Sequence, residues 1–139
     1  AARPVADTAR LAEVIRDAIP APARRRGGHP AKRTFQAIRI EVNAELEQLA
    51  DSLEEAIGRL VAGGRGAVLS YHSGEDRIVK RCFDLAATGG CTCPLRLPCV
   101  CGATSLAVLP RRAGRVPGVV EAAANPRAAS ARLRVLERR

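Results

Sequence analysis

The stretch HPAKRTFQAIRIEVNAEL, residues 29–46, decides how the rest of this chain is read. A basic turn runs straight into a helical pattern with one apolar and one polar-basic face. From Pro30 onward, Phe35, Ile38, Val42, Leu46, Leu49, Leu53, Ile57 and Leu60 recur at steps of three and four, which places one apolar stripe on successive turns. Pro30 suits the first turn, where its missing N–H would go unbonded in any case. A break is expected near Asn43, and Gly63 and Gly64 stop the pattern.

Upstream, residues 8–19 carry Leu11, Val14, Ile15, Ala18 and Ile19 at helical spacing, with Thr8 as the expected N-cap. Pro20 and Pro22 end that helix. APARRRGGHP then reads as a basic linker, with a domain boundary near residue 28. Downstream, GAVLSYH (66–72) has the form of a short strand buried on both faces. Ser73 to Asp76 reads as a capping box that opens a helix with Ile78, Val79, Cys82, Phe83 and Ala86 inward. Residues 89–102 form a Cys-rich loop. SLAVLP (105–110) is a second strand, 118–124 a short helix, and ARLRVLE (131–137) a third strand by its alternation.

At 139 residues the chain is long enough for one core. It contains no Met, and its first residues read as the middle of something larger, so a fragment is expected. The net charge of +9 favours a polyanionic partner, because neutralising phosphates releases condensed counterions. Of 23 basic residues only Lys32 and Lys80 are lysine, a ratio that fits a GC-rich genome. One Tyr and two Phe make a stacking platform of the single-strand-binder type a poor expectation. No apolar run has the length to cross a bilayer, and no signal peptide opens the chain. Reduced thiols in a cytoplasmic protein are the reading of its five cysteines.

Several groups of residues carry chemistry, each with a plainer alternative. Arg24, Arg25, Arg26, Lys32 and Arg33 bracket a helix start, whose N–H donors and dipole suit a phosphate; the alternative is a solvated linker. Arg39 and Asn43 share a helix face and reach either RNA or water. His72 ends a strand, the edge where open α/β sheets bind ligands, or else it fixes a turn. Ser73 and Asp76 read as caps, while Glu75 could order an arginine. Arg77 and Arg81, with Lys80 between them, put like charges on neighbouring turns and so suit an anionic partner. Cys91, Cys93, Cys99 and Cys101 could hold zinc, but C-x-C departs from the usual spacing, so free loop thiols are favoured. Cys82 reads as packing. Asn125-Pro126 is a turn signal, and Arg132 and Arg134 share a strand face.

Residues 29–46, SYHSGEDRIVKR (70–81) and NPRAASARLRVLER (125–138) together resemble the bacterial 16S ribosomal RNA (cytosine-N4)-methyltransferases, the small subunit methyltransferase H family. Only the C-terminal portion of that family is matched. The resemblance implies an α/β fold: the C-terminal part of a Rossmann-like S-adenosylmethionine-dependent methyltransferase sheet over 29–139. Its last strand would lie antiparallel between its two predecessors, and 1–28 would end a helical RNA-recognition insert. It implies transfer of a methyl group to the exocyclic amine of a cytosine in the decoding region, on 16S rRNA of the small subunit. His72 would be catalytic; Arg24, Arg25, Arg26, His29, Lys32, Arg33, Arg39, Asn43, Arg77, Lys80, Arg81 and Arg127 would face RNA.

The cofactor would be held by an N-terminal half of the same enzyme, since no G-x-G-x-x-G-like turn follows a strand here. The fragment alone is expected to be inactive and, with an unpaired apolar edge at 67–71, prone to dimerise. Three departures stand out. Gly74 replaces a usual leucine, Ala129 replaces a usual arginine, and the acid-or-amide, double-proline, aromatic signature of many amino-methyltransferases is not met after Asn125-Pro126. The cysteines read as an insertion. The rival readings are a small basic RNA- or ribosome-binding module without catalysis, and a zinc-stabilised interaction domain.

Overall fold

A computed structural model describes residues 4–24, 28–94, 98–111 and 114–139. Arg25 and Arg26 lie outside the described residues, as does the side chain of Arg24. The chain divides into two compact units, Ala1–Glu45 and Leu46–Arg139, so the division falls beyond the linker at residue 28.

The first unit holds helices α1 (Thr8–Ala18), α2 (Ala21–Arg24) and α3 (Lys32–Val42). Asp7, not Thr8, is the N-cap of α1; its carboxylate accepts from the Arg10 N–H at 2.7 Å. A carboxylate there also complements the positive end of the helix dipole. Pro22 does not forbid α2, because a proline in a first turn sacrifices no helical hydrogen bond. His29 sets up the start of α3: its carbonyl accepts from the Lys32 N–H and its Nδ1 from the Ala31 N–H. The expected break comes where α3 gives way to α4 (Glu45–Arg59). Asn43 ends α3, and Ala44 takes φ of +48°, a left-handed conformation that no α-helix continues through. Val42 is left 77% exposed beside it.

In the second unit, β1 (Arg65–Ser70), α5 (Ser73–Thr88), β2 (Ala107–Val108), β3 (Gly114–Arg115), α6 (Val119–Ala124), a 3₁₀ turn (Pro126–Ser130) and β4 (Arg132–Arg138) follow in order. The sheet runs β1-β4-β2, with β4 antiparallel to both neighbours, as expected of the last strand. The two-residue β3 also pairs β4, opposite Leu133 and Arg134. Register places Val68 opposite Arg134 and Leu69 opposite Leu133. Because side chains alternate along a strand, Val68, Ser70, Arg134 and Leu136 look one way, and Leu69 and Leu133 the other.

The first face carries the core. Leu53 and Ile57 of α4, Val79, Phe83 and Ala86 of α5, Ala107 and Leu136 pack together, with Leu49, Leu60, Ile78 and Cys82 around them. Leu136 and Ala107 are wholly buried. β1 corrects the sequence expectation: it alternates exposed and covered residues and is not buried on both faces. It lies beside β4 only, among the described residues, so Leu69 stays half exposed.

Asp76 and Arg134 fasten α5 to β4. The guanidinium donates through Nε to Oδ1 at 2.7 Å and through Nη2 to Oδ2 at 3.0 Å, a two-pronged pair with both side chains about three-quarters covered. This replaces the expected helix-capping role of Asp76. Hydrogen bonding from Arg134 holds the Asp76 carboxyl below its ordinary range, and burial opposes it. At the other end of α5, Gly89 takes φ of +62° and caps the helix against the Leu85 carbonyl. A Cβ there would meet the Thr104 carbonyl oxygen at 2.4 Å, so only glycine fits where the loop returns.

A folded-state pKa below the unfolded one adds stability that is complete above the unfolded carboxylate value and fades as pH falls through the folded one. Asp76→Asn should therefore cost about 1–2 kcal/mol at neutral pH, allowing for partial solvent exposure. That cost should shrink below about pH 4. Chemical denaturation of both proteins across pH measures it; a pH-independent difference would contradict the assignment.

Candidate functional site

The face of the sheet opposite the core floors a cleft of about 630 Å³. Leu69, Leu133, Ala128, Ala131, Val116 and Pro117 give it apolar walls, and Tyr71, Arg115, Glu121, Asn125 and Arg127 supply its polar groups. It opens at the C-terminal end of β1, beside the start of β4. Tyr71 stands two residues after Leu69, so alternation along the strand carries its ring toward the same face. Its side chain is half exposed.

The far wall comes from the segment 115–128. Asn125 caps the 3₁₀ turn, its Oδ1 accepting from the Arg127 N–H at 3.2 Å. That turn buries Ala128 and leaves the Arg127 side chain exposed in the cleft. Glu121 projects from α6 and Arg115 from β3. One carboxylate, two guanidiniums, an amide and a phenol therefore face one apolar floor. Of these, sequence reasoning singled out Arg127 and the Asn-Pro turn. It missed Tyr71, Arg115 and Glu121, because only folding brings three such distant positions together.

His72 is not among the described walls of this cleft. It is the N-cap of α5, and its Nδ1 accepts from the Glu75 N–H at 3.3 Å. Glu75 returns the contact: its Oε2 accepts from the N–H groups of Tyr71 at 2.8 Å and His72 at 3.2 Å. The capping box is thus His72 with Glu75, one residue earlier than the expected Ser73 with Asp76. With Nδ1 accepting, a neutral imidazole carries its proton on Nε2, which makes that atom a donor. Nε2 is buried 3.2 Å from Glu75 Oε1 without hydrogen-bond geometry. Gly74 leaves room for the ring, since a Cβ there would stand 3.1 Å from Cε1 and Nδ1.

The other sequence-selected residues fall into separate groups. Lys32 and Arg33 are exposed in the first turn of α3, next to His29. Arg39 and Asn43 instead grip Glu45, Arg39 through two contacts at 3.0 Å and Asn43 through Nδ2 at 3.0 Å, across the α3–α4 turn. Arg77, Lys80 and Arg81 are exposed on α5 and line a second cleft of about 500 Å³ with Asp84, Cys91 and Thr92.

The thiols of Cys91, Cys93, Cys99 and Cys101 converge, with every Sγ within 4.8 Å of the others. Cys99 is drawn down to about 7, first by the Cys101 backbone N–H and then by the neighbouring Cys101 and Cys91 thiols. At Cys91 the Cys93 backbone N–H favours the thiolate, but the Cys99 and Cys101 sulfurs prevail and push it up to about 12. Cys82 lies apart, partly covered beside the core, where burial raises its thiol. Among the described residues, no helix is long and apolar enough to cross a membrane.

Comparison with known proteins gives this geometry a context. A family model described as the MraW methylase family matches residues 1–139. The chain is 55% identical over 138 residues to "Ribosomal RNA small subunit methyltransferase H" of Acidothermus cellulolyticus, covering 99% of this chain and 42% of that protein. Proteins of the same name from Citrifermentans bemidjiense and Frankia alni are 51% and 53% identical, over 98% and 99% of this chain and 44% and 42% of theirs. The chain thus spans less than half the length of these relatives.

Replacing the His72 cap separates its structural work from any chemistry of its ring. His72→Ala should lower unfolding stability by about 1 kcal/mol, the usual value of a lost N-cap. His72→Asn, whose carbonyl oxygen caps well, should recover most of that loss in thermal denaturation. Equal destabilisation by both substitutions would show that the ring's packing matters rather than its hydrogen bond.

Proposed function

Because this chain belongs to the MraW methylase family, we propose that it is the RNA-facing portion of an enzyme that methylates N4 of a cytosine in the decoding region of 16S ribosomal RNA. The observation that carries this reading is the match along the whole chain to proteins named as small-subunit ribosomal RNA methyltransferases. The β1-β4-β2 arrangement supports it, since an antiparallel last strand between two others is what the closing part of a Rossmann-like methyltransferase sheet would have. The protein acts in the cytoplasm, where ribosomal subunits are assembled.

S-adenosylmethionine is the methyl donor that such a reaction requires, and the residues described here do not fit it. The turn after β1, between Tyr71 and Ser73, is closed by the His72–Glu75 capping box, whose backbone donors are already used. Among the described residues, no glycine-rich turn follows a strand. Cofactor binding is therefore assigned to the part of the relatives that lies outside the matched span.

What this chain supplies is substrate handling. A cytosine amine is a poor nucleophile inside a base pair, so the base has to leave its stack and be held still. The cleft has the chemistry for that. Tyr71 offers a ring face, worth roughly 1–3 kcal/mol per stacked base. Glu121 can accept a hydrogen bond from a cytosine N4 amine, the usual carboxylate pairing with that group. Arg115 and Arg127 suit the flanking phosphates. His72 acts as a positioning residue, holding the turn that presents Tyr71.

Further phosphate contacts are assigned to the start of α3, through His29, Lys32 and Arg33 with Arg24, Arg25 and Arg26 before it. Arg77, Lys80 and Arg81 form a second basic group. Arg39 and Asn43 contribute through the α3–α4 turn that they hold with Glu45. A small-subunit particle offers the phosphate density that these groups match.

Deleting the gene should remove N4-methylcytidine from a decoding-region position of small-subunit RNA, read by mass spectrometry of nuclease fragments. Retention of that mark would overturn the reading. In the complemented strain, Arg115→Ser with Arg127→Ser should weaken RNA binding and lower its salt slope by about one unit per lost phosphate contact. RNA binding without any methylation would instead indicate a binding module.

A further inference from the structure

We propose that Cys91, Cys93, Cys99 and Cys101 form a structural tetrathiolate zinc site that staples the loop 89–104 and fixes one wall of the basic cleft on α5. The geometry favours a single ion. Tetrahedral zinc with bonds of about 2.3 Å places its sulfurs about 3.8 Å apart. Here Cys91 and Cys99 Sγ lie 3.5 Å apart, Cys99 and Cys101 Sγ 3.3 Å, and no pair exceeds 4.8 Å. Changes of no more than about 1 Å in any sulfur–sulfur separation would bring all four onto one central ion. A four-iron cluster binds each thiolate to a different iron and needs them farther apart.

The one-residue spacing within each pair is no obstacle. The chain bends at Cys93 and at Cys101, and the four Sγ atoms converge there to within 4.8 Å of one another. Neither segment lies in a helix or strand. Two such segments facing each other complete the tetrahedron.

Among the described residues, little else holds this loop. None of its described residues between 90 and 103 is buried, and Val100 is 89% exposed. Its ends, however, are clamped: Leu106 N–H donates to the Ala86 carbonyl at 2.8 Å, and Cys91 N–H to that of Thr88 at 3.2 Å. A loop whose described residues bury no side chain, anchored at both ends and gathering four thiols, is the situation in which a metal supplies the missing folding energy. Each thiol gives its proton to solvent on binding, and four thiolates around Zn²⁺ leave the centre with two negative charges. Arg77, Lys80 and Arg81 share a cleft with Cys91 and offset that charge.

The test is metal analysis of the purified protein, prepared without chelator or added metal. About one zinc per chain should survive dialysis and be lost from Cys99→Ser with Cys101→Ser. Metal removal should also speed protease cleavage within 89–104. Should the double variant fail to fold, cobalt exchanged into the unaltered protein gives a second reading. Intense sulfur-to-cobalt charge-transfer bands with tetrahedral visible bands support the site. Four freely titrating thiols with no bound metal would overturn it, as would disulfides among these cysteines or iron in place of zinc.

Discussion

The last strand of the chain has to sit in the middle of its sheet, and most of the second unit depends on that placement. β4 pairs with β1 on one edge and with β2 and β3 on the other, so every strand pair among the described residues includes these final residues. Its core face brings Leu136 under α4 and α5 and Arg134 to Asp76. Its opposite face brings Leu133 against Leu69 and, through the preceding turn, Arg127 toward Tyr71. One strand thus builds the core on one side and the cleft on the other. The cleft inherits its precision from a hydrophobic core and a charge-assisted pair, both of which resist deformation.

The same long-range constraint marks where the sequence was legible. Helical spacing located α1, α3, α4 and α5, alternation located β4, and the break at Asn43–Ala44 was expected where it occurs. Each of these is local: period and propensity act within a few turns. The cap of α5 was misplaced by one residue because Ser73 is the better intrinsic cap. The sequence alone does not reveal that Asp76 is drawn away by an arginine on the last strand. β1 read as buried on both faces because its apolar run suits a covered strand. In the fold one face meets the core while the other floors the cleft.

Charge is distributed by role rather than spread evenly. Arg134 and Arg39 are spent on internal carboxylates, Asp76 and Glu45, and so shape the chain. Arg115 and Arg127 stand in the cleft, while Lys32, Arg33, Arg77, Lys80 and Arg81 face solvent. A net charge alone could not separate these classes, since it counts a structural arginine and a free one alike. Cleft residues such as Tyr71, Glu121 and Arg115 carry no signature in sequence, because each is an ordinary residue until the fold gathers them.

The cleft behind β4 is proposed to receive the cytosine to be methylated, and a photo-crosslink reads out that occupancy. Replacing Tyr71 by a benzophenone amino acid in the active enzyme places a short-range probe at the cleft wall. Irradiation with under-methylated small-subunit particles, followed by mapping of the crosslinked nucleotide, reports what enters. A crosslink is expected at the methylated cytosine or its immediate neighbour, suppressed once that position is already methylated. A crosslink confined to distant RNA, with methylation undiminished, would contradict it.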